Sequence, residues 1–207
     1  MSGLVVEGLS VGRGGRRLLD ALAFEVPGGT ALSLHGRNGL GKTTLLRTLA
    51  GLTPPMGGTL NHDTEAVAYA AHSDAIKPTL TVEETLRFWA ALHDRPGAET
   101  AALAAFGAED LARRPGGVLS AGQRRRVALA RLHLSGRPIW LLDEPTAGLD
   151  AAGQGQLAAA LEAHLATGGV AVMVTHGAPP IACAALDLDP FGARAPRADD
   201  AFAEAVE

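Results

Sequence analysis

Gly36-Arg37-Asn38-Gly39-Leu40-Gly41-Lys42-Thr43 fits the pattern G-x-x-x-x-G-K-[ST]. Each residue type has a physical reason to be there. Glycines let the backbone wind tightly, so that successive N–H groups face one anion. A helix starting at the end of such a loop adds the positive end of its dipole. Lys42 would reach the β- and γ-phosphates of a nucleotide, and the Thr43 hydroxyl would ligate Mg²⁺, with Thr44 beside it in the same turn. The bare pattern arises by chance in about one chain per hundred of this size, so its flanks decide. Thr30 to His35 is an apolar run of strand length, directly before the loop. A helix is expected from Lys42 to Ala50, stopped by Gly51 and the Pro54-Pro55 pair.

A second stretch supplies what a phosphate loop lacks. Pro138 to Asp143 is a continuous apolar run, as in a parallel strand buried on both faces, and it leads into the carboxylate pair Asp143-Glu144. Asp143 at the strand tip would hold Mg²⁺, and Glu144 would polarise a water attacking the γ-phosphate. Alone, such a pair is an ordinary strand end. After a phosphate loop it completes a nucleotide-hydrolysing set.

Composition narrows the class. The chain has 207 residues, 47% of them hydrophobic and 19% charged, which is a globular composition and excludes disorder over most of its length. A net charge of −4 gives no basic excess for nucleic acid. Cys183 is the single cysteine, which excludes a disulfide framework or a multi-cysteine metal site. The longest stretch free of Asp, Glu, Lys and Arg, Leu165 to Leu186, is broken by Gly168, Gly169, Pro179 and Pro180. It reads as a strand plus loops rather than a membrane helix.

Outward from the two motifs, Leu4–Leu9 reads as an edge strand, Ala21–Val26 as a second strand and Ala66–Ala71 as a third. Thr81-Val82-Glu83-Glu84 is a capping box opening a helix to about His93, with a further helix at Ala101–Phe106. Ser120-Ala121-Gly122-Gln123 is a second capping box, opening a helix through about Leu134. A helix at Ala151–Ala166 and a buried strand at Val170–Thr175 follow. From Asp187 onward the Pro-, Asp- and Ala-rich composition predicts a loose tail. The order predicts an α/β core with a helical insertion at roughly 76–135. Arg124-Arg125-Arg126 reads as a solvated face or as contacts of its own helix, not as a nucleic-acid site.

Leu119-Ser120-Ala121-Gly122-Gln123 resembles the LSGGQ signature of ABC-type ATPases, with Ala121 at a glycine position. Two more pieces follow in that family's order: Ala147-Gly148-Leu149-Asp150 is similar to its D-loop, and Thr175-His176 to its switch histidine. The resemblance covers about residues 4–188. It implies an α/β P-loop NTPase (ABC ATPase) core with a parallel sheet, antiparallel edge strands and a helical insertion. The core would occupy about 1–75 and 136–188, the helical subdomain about 76–135, and the tail about 189–207. It implies ATP and Mg²⁺ as cofactors and a homodimer in the ATP-bound state. Gly36 to Thr44 of one chain would hold each ATP against Ser120, Ala121, Gly122 and Gln123 of the other, with Asp150 nearby. Lys42, Glu144 and His176 would be catalytic, and Thr43 and Asp143 would hold the metal. Two positions depart from the family pattern. Arg13 stands about where an aromatic residue stacks on adenine, and a guanidinium can stack on a π system. His72 stands in place of the Q-loop glutamine, where it would contact ATP or Mg²⁺.

His72 to Trp89, with Ile76-Lys77, Leu80-Thr81 and Phe88-Trp89, is similar to the corresponding region of the CcmA family, the ATP-binding subunits of the bacterial cytochrome c biogenesis (haem exporter) system. Arg13 to Leu19 and Arg137-Pro138-Ile139-Trp140 to Pro145 resemble it too, while Ala71 and Glu84-Thr85 depart from it. The resemblance implies a peripheral ATPase on the cytoplasmic side of the inner membrane. Its membrane-spanning partners would be CcmB, with CcmC and CcmD, and hydrolysis would drive release of a haem-loaded periplasmic chaperone. The alternatives are the ATPase subunit of another small-molecule exporter, or a soluble ABC protein not linked to transport.

Overall fold

The computed structural model describes residues 3–74 and 76–193. Two long strands open the chain, β1 (Leu4–Arg13) and β2 (Arg16–Val26), joined by the Gly14-Gly15 turn. β3 (Ala31–His35) leads through the glycine loop into α1 (Lys42–Leu49). β4 (Gly57–Leu60) and β5 (Val67–Ala70) follow. Three helices come next: α2 (Val82–Leu92), α3 (Glu99–Ala104) and α4 (Ala121–Ser135). The chain then runs through β6 (Ile139–Asp143), α5 (Ala151–Ala166), β7 (Val170–Val174) and β8 (Ala184–Asp187).

These strands form two sheets among the described residues. A parallel sheet has the order β5-β6-β7-β3-β8, and an antiparallel one has the order β2-β1-β4. β1 is therefore not an edge strand of its sheet, as its sequence suggested. β4, which has two glycines and no strand pattern, covers its second side. β8, also not foreseen, extends the parallel sheet beyond β3.

The period-two alternation of the buried strands divides the core into two layers. In β6, Ile139 and Leu141 face one layer, while Trp140 and Leu142 face the other. In β7, Val170, Val172 and Val174 alternate in the same way with Ala171 and Met173. The first layer packs against α1 and the antiparallel sheet, through residues such as Leu45, Leu46, Leu9 and Leu22. The second packs against α2 to α5, with Leu86, Phe106, Leu129 and Leu161. Both faces are covered, which is why β6 and β7 read as unbroken apolar runs.

Both capping boxes form. Thr81 and Glu84 exchange side-chain and backbone hydrogen bonds at the start of α2, as Ser120 and Gln123 do at the start of α4. Residues 187–193 are not loose, contrary to the reading of the tail. Asp187 ends β8, the Asp189–Phe191 turn follows, and the Ala193 N–H donates to the Leu18 carbonyl at 2.9 Å. Packing against β2 holds this segment, and composition does not register such packing. The rest of that tail, 194–207, lies outside the described residues.

Candidate active site

In a parallel sheet with crossover helices, loops gather at the carboxyl ends of the strands, and ligands bind there. β3, β5, β6 and β7 end at one edge of this sheet. That edge carries the glycine loop after β3, His72 after β5, Asp143-Glu144 at the tip of β6 and His176 after β7.

The glycine loop needs its glycines. Gly41 caps α1 with φ 114°, a conformation open to glycine and strained for other residues, and a Cβ there would lie 3.0 Å from that of Leu18. Lys42, largely buried, donates from Nζ to the carbonyls of Gly36 (2.5 Å) and Arg37 (3.0 Å). Its ammonium thus lies across the loop mouth. The Arg37 amide donates to Asp189 Oδ1 at 3.2 Å, so the 189–193 segment braces the loop from outside. Asn38 and Gly39 are exposed at its tip, Leu40 anchors it in the core, and Thr43 is exposed beside the partly buried Thr44 in the first turn of α1.

Asp143 is buried, with Oδ2 3.4 Å from the Tyr69 hydroxyl. Burial, followed by the negative charge of Asp143, pushes the Tyr69 phenol up to about 12. Glu144 adopts φ 51°, a left-handed conformation that costs a non-glycine residue about 1–3 kcal/mol. Its neighbours hold it there. Its N–H donates to the Val174 carbonyl at 2.9 Å, and its own carbonyl accepts from Arg125 at 2.8 Å. Its carboxylate lies between two histidines, with Oε1 2.7 Å from His176 Nε2 and Oε2 3.8 Å from His72 Nδ1. His72 therefore faces Glu144, and its ring is largely exposed.

A hydroxyl and a carboxylate are hard oxygen donors suited to Mg²⁺, which also takes oxygens from phosphate and water. Thr43 and Asp143 fit that chemistry. Among the described residues no cluster of three or more His, Cys, Asp or Glu side chains forms a metal cage, and a Mg²⁺ held partly by substrate phosphates does not require one.

Arg13 lies at the end of β1, on a cleft of about 690 Å³ shared with Thr43, Thr44, Arg47, Pro54 and Met56. Arg47 and Met56 drew no notice in the sequence. The signature residues stand apart: Ser120 and Gln123 cap α4 between themselves at 2.9 and 3.2 Å, and Ala121 and Gly122 form its first turn. Gly122 packs against the 147–150 loop, where a Cβ would lie 2.7 Å from the Gly148 carbonyl oxygen. Asp150 caps α5, accepting from the Gly153 N–H at 2.8 Å.

Arg125 decides between the two sequence readings of the arginine run, in favour of contacts made by the helix. Arg125 is buried, not part of a solvated face, and its guanidinium reaches the backbone of the β6 tip. A signal was available, because Arg125, Leu129 and Leu132 recur at i, i+4 and i+7 on the buried side of α4.

The sequence profile of the ABC transporter family matches residues 19–147. The chain is 52% identical over 199 residues to the "Cytochrome c biogenesis ATP-binding export protein CcmA" of Rhodobacter capsulatus, covering 96% of this chain and 92% of that one. It is 51% identical to the protein of the same name from Paracoccus denitrificans, covering 93% and 92%. A solved dimeric, post-hydrolysis ATP-binding cassette bound to ADP and Pi superposes with a TM-score of 0.74 at 22% identity, covering 84% of this chain and 88% of that one. With this profile match and these relatives, and with the glycine loop, Asp143-Glu144 and His176 meeting at one sheet edge, the chain belongs to the ABC transporter family, as one of its ATPases.

Proposed function

We propose that this ATPase is the energy-supplying subunit of a bacterial cytochrome c biogenesis complex. The observation that carries this reading is the half-identity, over nearly the whole chain, to relatives bearing the cytochrome c biogenesis name. His72, which replaces the Q-loop glutamine and faces Glu144, agrees with it. The partners in this reading are CcmB, with CcmC and CcmD, on the cytoplasmic side of the inner membrane. Hydrolysis releases a haem-loaded periplasmic chaperone. No helix among the described residues is long and apolar enough to cross a membrane, so membrane-spanning subunits would have to carry the effect across.

The geometry supports the following roles. Lys42 and the loop amides bind the β- and γ-phosphates, and α1 adds its dipole end. Thr43 and Asp143 would hold Mg²⁺, which would supply neutralising charge to the phosphate oxygens. Glu144 accepts a hydrogen bond from the attacking water and draws off its proton. His176 fixes Oε1 of Glu144, which leaves Oε2 on the His72 side. Two chains pair head to tail, so that Ser120–Gln123 of one closes over the ATP of the other. The free amides at the start of α4 suit an anion, and no hydrogen bond joins these residues to the same chain's glycine loop among the described residues. We assign residues 1–75 and 136–188 to the catalytic core and 76–135 to the helical subdomain. α2, α3 and α4 fall within the latter span.

Deletion and complementation in the host test the reading. Loss of the gene should abolish covalently haem-stained c-type cytochromes. The wild-type chain should restore them, and Glu144→Gln should not. Normal c-type cytochromes in the deletion strain would overturn it.

A further inference from the structure

The guanidinium of Arg125 is buried, on the fifth residue of α4, and all of its N–H groups are used. Nη2 donates to the carbonyls of Asp143 and Glu144, each at 2.8 Å. Nη1 donates to the Ala71 carbonyl at 2.8 Å and to Asp74 Oδ1 at 3.2 Å. Nε donates to the Pro145 carbonyl at 3.4 Å. An arginine has five such donors, and these are five acceptors. Only Asp74 among them is charged. The other four are backbone oxygens from two segments: the loop after β5, which carries His72, and the tip of β6, which carries Asp143 and Glu144.

Burial requires each of these N–H groups to find an acceptor, but not that the acceptors be these. Arg125 grips three consecutive carbonyls, those of Asp143, Glu144 and Pro145, around the left-handed backbone of Glu144. Those bonds oppose relaxation of Glu144 to an ordinary conformation, which would swing its carboxylate away from His176. The same fork holds Ala71 and Asp74, on either side of His72. Arg125 belongs to the helix that begins with Ser120, so a displacement of that helix start is carried through a rigid turn to both segments.

We infer that Arg125 is a positioning residue for hydrolysis: it sets the Glu144 carboxylate and the His72 loop against each other and ties both to the signature helix. The inference rests on the assignment of Glu144 as the group that activates water. Arg125 touches no residue of the glycine loop, so nucleotide binding and hydrolysis should respond differently to its loss.

The full-length chain is compared as wild type, Arg125→Lys, Arg125→Gln and Asp74→Asn, with Glu144→Gln alongside. Lysine keeps the charge and three donors, and glutamine keeps two donors without the charge. Dissociation constants for Mg-ADP, KM for ATP, kcat and melting temperature are measured for each. The expected result is a Kd and KM within about twofold of wild type, with kcat about 10- to 100-fold lower in the arginine variants, the scale of misplaced catalytic groups. Arg125→Lys should retain more turnover than Arg125→Gln. Asp74→Asn, which leaves the carbonyl contacts in place, should show a smaller fall in kcat at unchanged KM and decides the matter should Arg125→Gln not fold. Wild-type kcat in Arg125→Lys and Asp74→Asn, with Glu144→Gln inactive, would overturn the inference alone. So would kcat, KM and Kd deteriorating together with the melting temperature, which is loss of fold rather than of position. Wild-type turnover in Glu144→Gln would instead overturn the reading of Glu144.

Discussion

His176 Nε2 sits 2.7 Å from Glu144 Oε1, although the two residues follow different strands and are 32 positions apart in the chain. The contact exists because β6 and β7 are parallel neighbours, with Asp143 level with Val174. It fixes one oxygen of Glu144 and defines the direction in which the other can act.

Glu144→Gln preserves size and one hydrogen-bond acceptor but removes the charge. General-base assistance is worth about 10²–10⁴ in rate, so ATP turnover should fall by that much while binding survives. The variant should then accumulate as an ATP-held dimer in size-exclusion chromatography with Mg-ATP. Adding Ser120→Arg should abolish that dimer, because bulk and a cation would occupy the start of α4. A dimer unaffected by Ser120→Arg would refute the role of the signature residues.

Lys42→Ala removes the ammonium that lies across the glycine loop. A charge-assisted contact is worth about 1.5–3 kcal/mol or more. Calorimetry should therefore show nucleotide affinity falling at least tenfold. Unchanged affinity would refute the phosphate-loop assignment.

Arg13 lines the cleft beside Thr43 and Thr44. If its guanidinium stacks on the base, Arg13→Ala should weaken ATP binding by about 0.5–2 kcal/mol, with inorganic phosphate binding unaffected. No change for either ATP or GTP would make Arg13 a surface residue.

Tyr69 is the chain's single tyrosine, so its ionisation can be followed by absorbance. The phenol should remain protonated until about pH 12. Its neutral form is favoured in the folded state, so the stability this contributes is full below the unfolded value of about 10. It is lost as pH rises through the folded value. Asp143→Asn removes the nearby charge and should lower the midpoint, leaving the larger effect of burial opposed by the charges of Arg47 and Arg125. A midpoint near 10 in the wild type would contradict the part-buried Tyr69–Asp143 contact.

Residues adjacent in the chain carried most of what was legible beforehand. The glycine loop, the Asp143-Glu144 pair and the two capping boxes are contiguous, and their chemistry depends on local backbone geometry. The unbroken apolar runs of β6 and β7 announced strands buried on both faces. β4 and β8 were not legible, because pairing with β1 and β3, rather than their own residues, makes them strands. The segment 187–193 was hidden for the same reason.

The sequence by itself determined the glycine loop, the carboxylates at the tip of β6 and most of the order in which strands and helices alternate. Tertiary structure alone decided what Arg125 does, because its acceptors include a carbonyl 54 residues before it and another 18 residues after it. A charge in a run of three arginines reads as solvated unless its partners are known. Burial of the α4 stripe brings the guanidinium under the β6 tip, and desolvation there requires every N–H to find an acceptor. Local pattern can specify a strand, a cap or a loop, but a buried cation acquires its meaning only from the segments that close around it.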